Sequence, residues 1–227
     1  MIKFHEFSNK IKALCLISEL ALGSLFVSSA FSSVAAINLV TNGGFEDPIL
    51  PDGNNYSPSG ATWNFQTYSA ISRPGNIFPI KAVEGGQYGF IQSCCSSNGS
   101  NNVGAISQQI SGMTVGNQYQ LSFFSVSGVN NYGTPALPFS VSLDSNTLIN
   151  SYTPGLDWNT TITTFSATNS TATLTFQGTS SSGNLVSILD DIQVTSAVPV
   201  PWDIDALPMV FTSLLFGLSV WLKSKKL

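Results

Sequence analysis

Alternation of apolar and polar residues is the feature that most constrains how this chain can fold. It recurs in three separate segments, residues 119–123, 139–143 and 172–176. Alternation puts every second side chain on the same face of a strand, so that one face is buried and the other is hydrated. Clusters of Gly, Asn, Ser and Pro, which favour turns, separate the segments. The pattern predicts about ten short strands and no amphipathic helix, hence an all-β sandwich or jelly roll.

The sandwich is expected to span residues 37–196, preceded by a signal peptide at residues 1–36. Three lysines in the first twelve residues precede a mostly apolar run, and small residues close that run. A basic start, an apolar helix and a small-residue cleavage site are typical of secreted proteins, and cleavage is expected after Ala36. An uncleaved N-terminal anchor is the alternative.

The chain changes character again after the sandwich. Residues 197–205 contain prolines that exclude helix and form a spacer. Residues 206–222 contain no charge and predict a single transmembrane helix, and residues 223–227 form a basic tail. Lysines after the span place the C-terminus in the cytoplasm and the sandwich outside. A buried C-terminal helix is the alternative, but it leaves the lysines unexplained.

Charge and histidine content exclude several classes of function. Only 9% of the residues are charged, against about 25% in ordinary domains. Between residues 37 and 200 there are two basic residues, Arg73 and Lys81, and eight acidic residues, which gives a net charge of −6. This charge argues against nucleic-acid binding. The single histidine, His5, lies in the predicted signal peptide. A mature chain without histidine has no Ser-His-Asp triad, Cys-His pair or imidazole zinc site.

The remaining catalytic alternative is a glycosidase. Such an enzyme needs two carboxylates about 5–9 Å apart across a cleft. Glu84 is the only plausible partner for the other acids, and it stands in a glycine turn. We therefore expect a protein that is not an enzyme.

Two carboxylate pairs mark the ends of the predicted domain. One is Glu46-Asp47, at the end of the opening motif Asn42-Gly43-Gly44-Phe45-Glu46, and the other is Asp190-Asp191 inside an apolar run. We expect the two ends to meet, with Glu46 and Asp190 as candidate ligands of one structural Ca²⁺, an ion that prefers hard oxygen donors. In the alternative, Glu46 accepts hydrogen bonds from backbone amides without a metal.

The candidate ligand-binding residues are mostly aromatic. Trp63 and Trp158 can cover the apolar face of a sugar, and Tyr56, Tyr132 and the only arginine, Arg73, can join them. Trp63 alternates in step with Phe65, so that a position in the core is the main alternative for it. For Trp158, a position in the core and contact with a ligand are both open.

The adjacent cysteines Cys94 and Cys95 are a second unusual feature. In an exported protein thiols tend to oxidise, which favours a strained vicinal disulfide. Two free thiols or a cross-link between molecules are the alternatives.

Two resemblances follow from these motifs. The tail, with Pro199-Val200-Pro201 before the apolar span and basic end, resembles a PEP-CTERM sorting segment, although that family has glutamate in place of Val200. This resemblance implies recognition by an exosortase and a destination at the cell surface or in the extracellular matrix.

The sandwich resembles the galactose-binding-like jelly rolls, including the DUF642 group and CBM4/CBM9-type modules. The resemblance is carried by the opening motif, Trp63, residues 84–88 and residues 189–192. It implies non-catalytic binding of carbohydrate, either exopolysaccharide or cell-wall glycan. The alternative function is a structural or adhesive matrix component without a specific ligand.

Overall fold

The computed structural model describes residues 36–75, 77–94, 103–128, 135–181 and 183–197. This part of the chain contains eleven strands and no helix. In chain order the strands are β1 (Asn54–Tyr56), β2 (Asn64–Phe65), β3 (Ser69–Ser72), β4 (Tyr88–Ser93), β5 (Ala105–Ser111), β6 (Gln118–Ser127), β7 (Phe139–Leu143), β8 (Asn146–Tyr152), β9 (Asn159–Ser166), β10 (Thr171–Gly178) and β11 (Leu185–Ser196).

The strands form two antiparallel sheets. The six-stranded sheet has the order β1-β3-β4-β11-β6-β9, and the five-stranded sheet has the order β2-β5-β10-β7-β8. The three alternating segments lie in β6, β7 and β10, as predicted. An all-β jelly-roll sandwich is therefore confirmed for the described residues.

The predicted signal peptide, transmembrane helix and basic tail lie outside the described residues. Within those residues, no helix is long and apolar enough to cross a membrane.

The main core lies between the two sheets. Phe123 of β6 packs edge-on against Phe176 of β10 with 5.1 Å between ring centroids, and it also contacts Phe139 of β7 at 6.1 Å. All three side chains are fully buried. Because these aromatic rings come from both sheets, they tie the two layers together by apolar burial and by ring contacts.

The six-stranded sheet carries a second apolar cluster on its outer face. Cross-strand pairing places Ala70, Phe90, Ile188 and Val126 in one row across β3, β4, β11 and β6. Phe78 covers this row from the segment before β4, with its ring centroid 5.4 Å from that of Phe90. The central strands of this sheet are consequently buried on both faces beneath the cluster, which explains why β3, β4 and the part of β11 up to Asp190 are almost continuously buried.

The two ends of the domain meet along β11, as the carboxylate pairs predicted. The Leu39 amide donates to the Val194 carbonyl at 2.8 Å, and the Ile192 amide donates to the Gly43 carbonyl at 3.1 Å. The Asn38 side chain also accepts a hydrogen bond from the Val194 amide at 3.0 Å. The pairing of β4 with β11 ends at Gly89 with Leu189. Beyond that pair, the N-terminal segment lies beside β11 in place of β4.

Gly43 permits this close approach, and its replacement gives a first prediction. A Cβ atom at position 43 would overlap the carbonyl oxygen of Ile192, a backbone atom that cannot rotate away. We expect Gly43→Ala to lower the free energy of unfolding by about 1–3 kcal/mol or more, measured by urea denaturation.

Gly155→Ala is the matched control, because a Cβ atom there meets no atom within 4 Å. Equal stability of the two variants would contradict the role of Gly43.

Candidate functional site

Asp190 holds the turn before β4 through backbone amides. Its Oδ2 atom accepts hydrogen bonds from the amides of Val83 at 2.6 Å and Glu84 at 3.1 Å. Its Oδ1 atom accepts one from the Asp191 amide at 2.8 Å. The side chain is fully buried, and three main-chain donors satisfy it.

Glu46 holds the other end of the same turn. Its Oε1 atom accepts hydrogen bonds from the amides of Gly86 at 2.8 Å and Gln87 at 2.7 Å. Glycine is required at position 85, directly before these two residues. Gly85 has φ of 62°, and a Cβ atom there would overlap the Glu46 carboxyl group. Two carboxylates from opposite ends of the domain therefore hold the segment 83–87. We call Glu46, Asp190 and this segment together the carboxylate clasp. These hydrogen bonds correspond to the alternative in which Glu46 binds amides without a metal.

A β-bulge in β11 places Asp190 in the clasp. The pairing between β11 and β6 shifts in register between Asp190 and Gln193, and Asp191 has φ of 45°. The Asp191 carboxylate accepts a hydrogen bond from the Gln193 side chain at 2.7 Å. The bulge adds a residue to β11, so Asp190 stays on the outer face while Ile192 returns to the core.

Burial raises the pKa of Asp190 to about 7. The hydrogen bonds from the amides of Glu84, Val83 and Asp191 oppose this rise, while the negative charge of Glu84 adds to it. Loss of hydration destabilises the charged carboxylate by more than the three amide hydrogen bonds stabilise it. The carboxyl group therefore titrates close to neutral pH.

A cavity of about 390 Å³ lies beside the clasp, where the N-terminal segment meets β11. Three acidic residues line it, namely Glu46, Glu84 and Asp191. Among the described residues, no three acidic, histidine or cysteine side chains stand close enough together to hold a metal ion. Main-chain carbonyls and water would have to complete the shell of a calcium ion here.

A second group of polar residues crosses the outer face of the six-stranded sheet. The Tyr56 hydroxyl group donates to the Gln92 side chain at 3.0 Å, and the Gln92 amide group donates to Asn184 at 2.6 Å. Tyr56 lies on β1, Gln92 on β4, and Asn184 directly before β11, so the row spans four adjacent strands. We call these three residues the tyrosine-amide row.

The ring of Tyr56 is 46% exposed and rests edge-on against the buried Phe90, with 5.6 Å between centroids. Partial burial raises the pKa of the Tyr56 hydroxyl group, and the negative charge of Cys94 in its thiolate form adds to the rise. The hydroxyl group therefore stays protonated at neutral pH and remains a hydrogen-bond donor.

The two tryptophans do not lie in this row. Trp63 is only 2% exposed, and its ring packs at 5.3 Å from Phe45 while its Nε1 atom donates to the Asn42 carbonyl at 2.8 Å. It is a core residue, as its alternation with Phe65 indicated, and not a platform for a ligand. Trp158 is half-buried against the second cluster, and its Nε1 atom donates to the Lys81 carbonyl at 2.9 Å.

Arg73 also has structural partners. Its Nη1 atom donates to the carbonyls of Leu50 at 2.9 Å and Pro51 at 3.0 Å. It lines a separate cavity of about 420 Å³ with the loop around Asp52. Arg73 thus supports a loop that is distant from it in the sequence. Within the described part of the chain, no hydrogen bond joins Arg73 to the tyrosine-amide row.

Two further predicted residues, Tyr132 and Cys95, lie outside the described residues. Cys94 is half-buried directly after β4, and the vicinal disulfide stays a prediction.

Sequence reasoning missed three amide residues that the structure makes important. Gln92 and Asn184 extend Tyr56 into a row, and Gln87 is a buried link, accepting from the Leu50 amide at 2.6 Å and donating to the Phe45 carbonyl at 2.7 Å. For Gln92 a signal was present, because it stands two residues after the apolar Phe90 and therefore on the same face of an extended segment. Gln87 falls within the motif at residues 84–88, but the motif gives no sign of its hydrogen bonds, and Asn184 carries no comparable signal.

No protein-family model and no curated protein matches the chain. Among solved structures, the Stig cyclase Fisc from Fischerella sp. TAU, in complex with (3Z)-3-(1-methyl-2-pyrrolidinylidene)-3H-indole, is similar over 72% of this chain and 98% of its own, with 16% identity and a TM-score of 0.55. TmCBM61 in complex with beta-1,4-galactotriose covers 71% and 99%, with 14% identity and a TM-score of 0.48. A CBM4 structure covers 70% and 99%, with 17% identity and a TM-score of 0.45. At 16% identity, the similarity to the cyclase shows a shared fold.

The pKa of Asp190 gives a prediction for stability against pH. A carboxyl group whose folded pKa is raised from 3.8 to about 7 favours the folded state below pH 4, and this contribution is lost as the pH rises through 7. We expect the free energy of unfolding to fall between pH 4 and pH 8, as measured by urea denaturation at a series of pH values.

Asp190→Asn should be less stable, because its amide group faces the Asp191 amide, but it should lose this fall with pH. Asp52→Asn, an exposed acid, is the control and should keep it. A fall of unchanged size in Asp190→Asn would contradict the assignment.

Proposed function

We propose that the protein binds carbohydrate, without catalysis, through the tyrosine-amide row on the outer face of the six-stranded sheet. The proposal depends on one observation. The half-exposed Tyr56 is hydrogen-bonded to Gln92, and Gln92 is hydrogen-bonded to Asn184. The fold alone does not decide the function, because one fold serves many activities.

The chemistry of the row suits a sugar ring. An aromatic side chain offers an apolar face with a polar end, and amide side chains both donate and accept hydrogen bonds. A pyranose has the complementary arrangement, with C–H groups on its faces and hydroxyl groups around its edge. Since Gln92 and Asn184 are already oriented by each other, they would lose little conformational entropy when a ligand binds.

The charge of the sandwich favours a neutral glycan. Arg73 and Lys81 are the only basic residues between positions 37 and 200, where eight acidic residues are found. Arg73 already donates to two carbonyls. An anionic polysaccharide would meet net repulsion and lack a cationic partner.

Binding without catalysis is supported by how the carboxylates are used. Asp190 is buried under three amides and Glu46 accepts two, so the acids at the domain ends are engaged in holding the fold. A glycosidase would need two carboxylates open to the substrate.

We further propose that the protein is exported and acts at the cell surface or in the extracellular matrix. The support comes from the sequence, which has a signal-like N-terminus and an apolar span with a basic end like that of PEP-CTERM proteins. In this proposal the span at residues 206–222 anchors the chain, with the C-terminus in the cytoplasm, and an exosortase-type enzyme is the partner in sorting.

A structural or adhesive matrix role without a specific ligand is the second candidate. The observation that favours it is the outer face of the five-stranded sheet, where the half-buried Ser142, Thr173 and Thr175 lie on the neighbouring strands β7 and β10. This face has no large apolar side chain in the described strands, so it is better suited to hydration than to a sugar ring.

A glycan array probed with the purified full-length protein in mild detergent separates the two candidates. We expect binding to neutral glycans, and we expect Tyr56→Ala to weaken it about tenfold or more, the equivalent of a contact worth about 1.4 kcal/mol. Leu156→Ala is the control, since Leu156 is an exposed apolar residue outside the row.

Trp158→Ala should leave affinity unchanged where the protein remains folded, because Trp158 is engaged with Lys81. An array without any bound glycan would leave the structural role as the function.

Calcium at Glu46 and Asp190 is a proposal about the clasp. Its support is the acidic cavity that Glu46 lines together with Glu84 and Asp191 and without a basic residue; Asp190 is buried under its three amides and does not line this cavity. Calcium added to chelator-treated protein should raise the melting temperature, because an ion that binds only the folded state stabilises it. Glu46→Gln should abolish the rise; an unchanged melting temperature in the wild-type protein would remove calcium from the proposal.

A further inference from the structure

The edge strand β9 is the most unusual surface element of the sandwich. It is the last strand of the six-stranded sheet, and within the described residues no strand pairs with its other edge. Its pairing with β6 is unbroken over eight residues, from Gln118 with Ser166 to Ser125 with Asn159. A regular ladder on one side keeps the backbone extended, so the other side presents a straight row of amide and carbonyl groups.

The other edges are shorter or irregular. β1 has three residues and β2 has two. β8 has seven, but its pairing with β7 shifts in register twice. Short edges and bulges are common means by which proteins prevent pairing between molecules, and β9 has neither.

The residues of β9 also lack the usual protective side chains. The strand reads Asn-Thr-Thr-Ile-Thr-Thr-Phe-Ser, with no charge, proline or glycine. Ile162 at its centre is 59% exposed. It lies on the outer face, because its partner Ser122 stands between the inward-facing Leu121 and Phe123. A lysine at such a position would oppose strand addition, whereas an exposed isoleucine favours it.

The strand is self-complementary about Ile162. In an antiparallel pair of two copies related by a two-fold axis at this residue, Ile162 faces Ile162 of the second copy. Thr161 then faces Thr163, and Thr160 faces Thr164. Cross-strand isoleucine and threonine pairs stabilise antiparallel sheets, and no charged residue meets a like charge in this arrangement.

We propose that β9 pairs with β9 of a second copy of this chain, antiparallel and centred on Ile162. The two six-stranded sheets then join into one continuous sheet of twice that number of strands. The pairing leaves the tyrosine-amide row open, because β1 and β9 lie at opposite edges of the sheet. It gives each assembled pair two copies of that row, and it does not depend on what the row binds.

Sedimentation velocity of the full-length protein in mild detergent, over a series of concentrations, tests the association. Ile162→Lys should weaken it at least tenfold. Val115→Lys is the matched control, because Val115 is 62% exposed and lies outside β9; it should stay within twofold of wild type. Unchanged melting temperatures would show that both variants fold.

Cross-linking tests the register in a background in which the three native cysteines are replaced by serine. Ile162→Cys should form a disulfide-linked dimer with itself, since directly paired residues meet the distance that a disulfide needs. Thr160→Cys should cross-link with Thr164→Cys when the two chains are mixed, and not with itself.

Three results would overturn the proposal. The first is a monomer at all concentrations. The second is an association that Ile162→Lys leaves unchanged, which would place the contact on another surface or segment. The third is cross-linking of Thr160→Cys alone as efficiently as Ile162→Cys, which would show contact without this register.

Discussion

The pairing of the N-terminal segment with the last strand is the interaction on which the rest of the structure depends. Main-chain hydrogen bonds join Leu39 to Val194 and Ile192 to Gly43. They bring Glu46 and Asp190 to the same turn, although the two residues are far apart in the sequence. Without this closure, the amides of Gly86 and Gln87 would lose Glu46 as their acceptor, at a cost of about 1–3 kcal/mol for each unsatisfied group.

The clasp also determines which face of the sandwich is open. By holding residues 83–87, it fixes the preceding segment, whose Phe78 covers one half of the outer face of the six-stranded sheet. Trp158 fastens the same segment through Lys81. The other half of that face, towards β1, keeps Tyr56 half-exposed beside Gln92 and Asn184. A buried half with aromatic rings thus supports an open half that carries one aromatic ring and two amides.

The two edges of the same sheet differ in a way that separates the proposed binding from the proposed association. β1 is short and carries Tyr56, whereas β9 is long, regular and uncharged. A ligand on the face near β1 and a second copy at β9 do not compete for the same atoms. If both are present, one assembled pair displays two binding rows, and multivalent contact with a polymer raises the effective affinity without any new type of contact.

The sequence by itself determined the fold class and the meeting of the two ends. Alternation in β6, β7 and β10 is a local property of a strand with one buried face, and Trp63 followed the same rule into the core. Two carboxylate pairs in apolar or glycine-rich surroundings indicated a junction, because such charges need partners when they are buried. Only the tertiary structure decided what those partners are, and that Trp158 and Arg73 bind backbone carbonyls. Likewise, no local pattern places Tyr56, Gln92 and Asn184 in one row, or leaves β9 at an edge, because strand order joins residues that are distant in the chain.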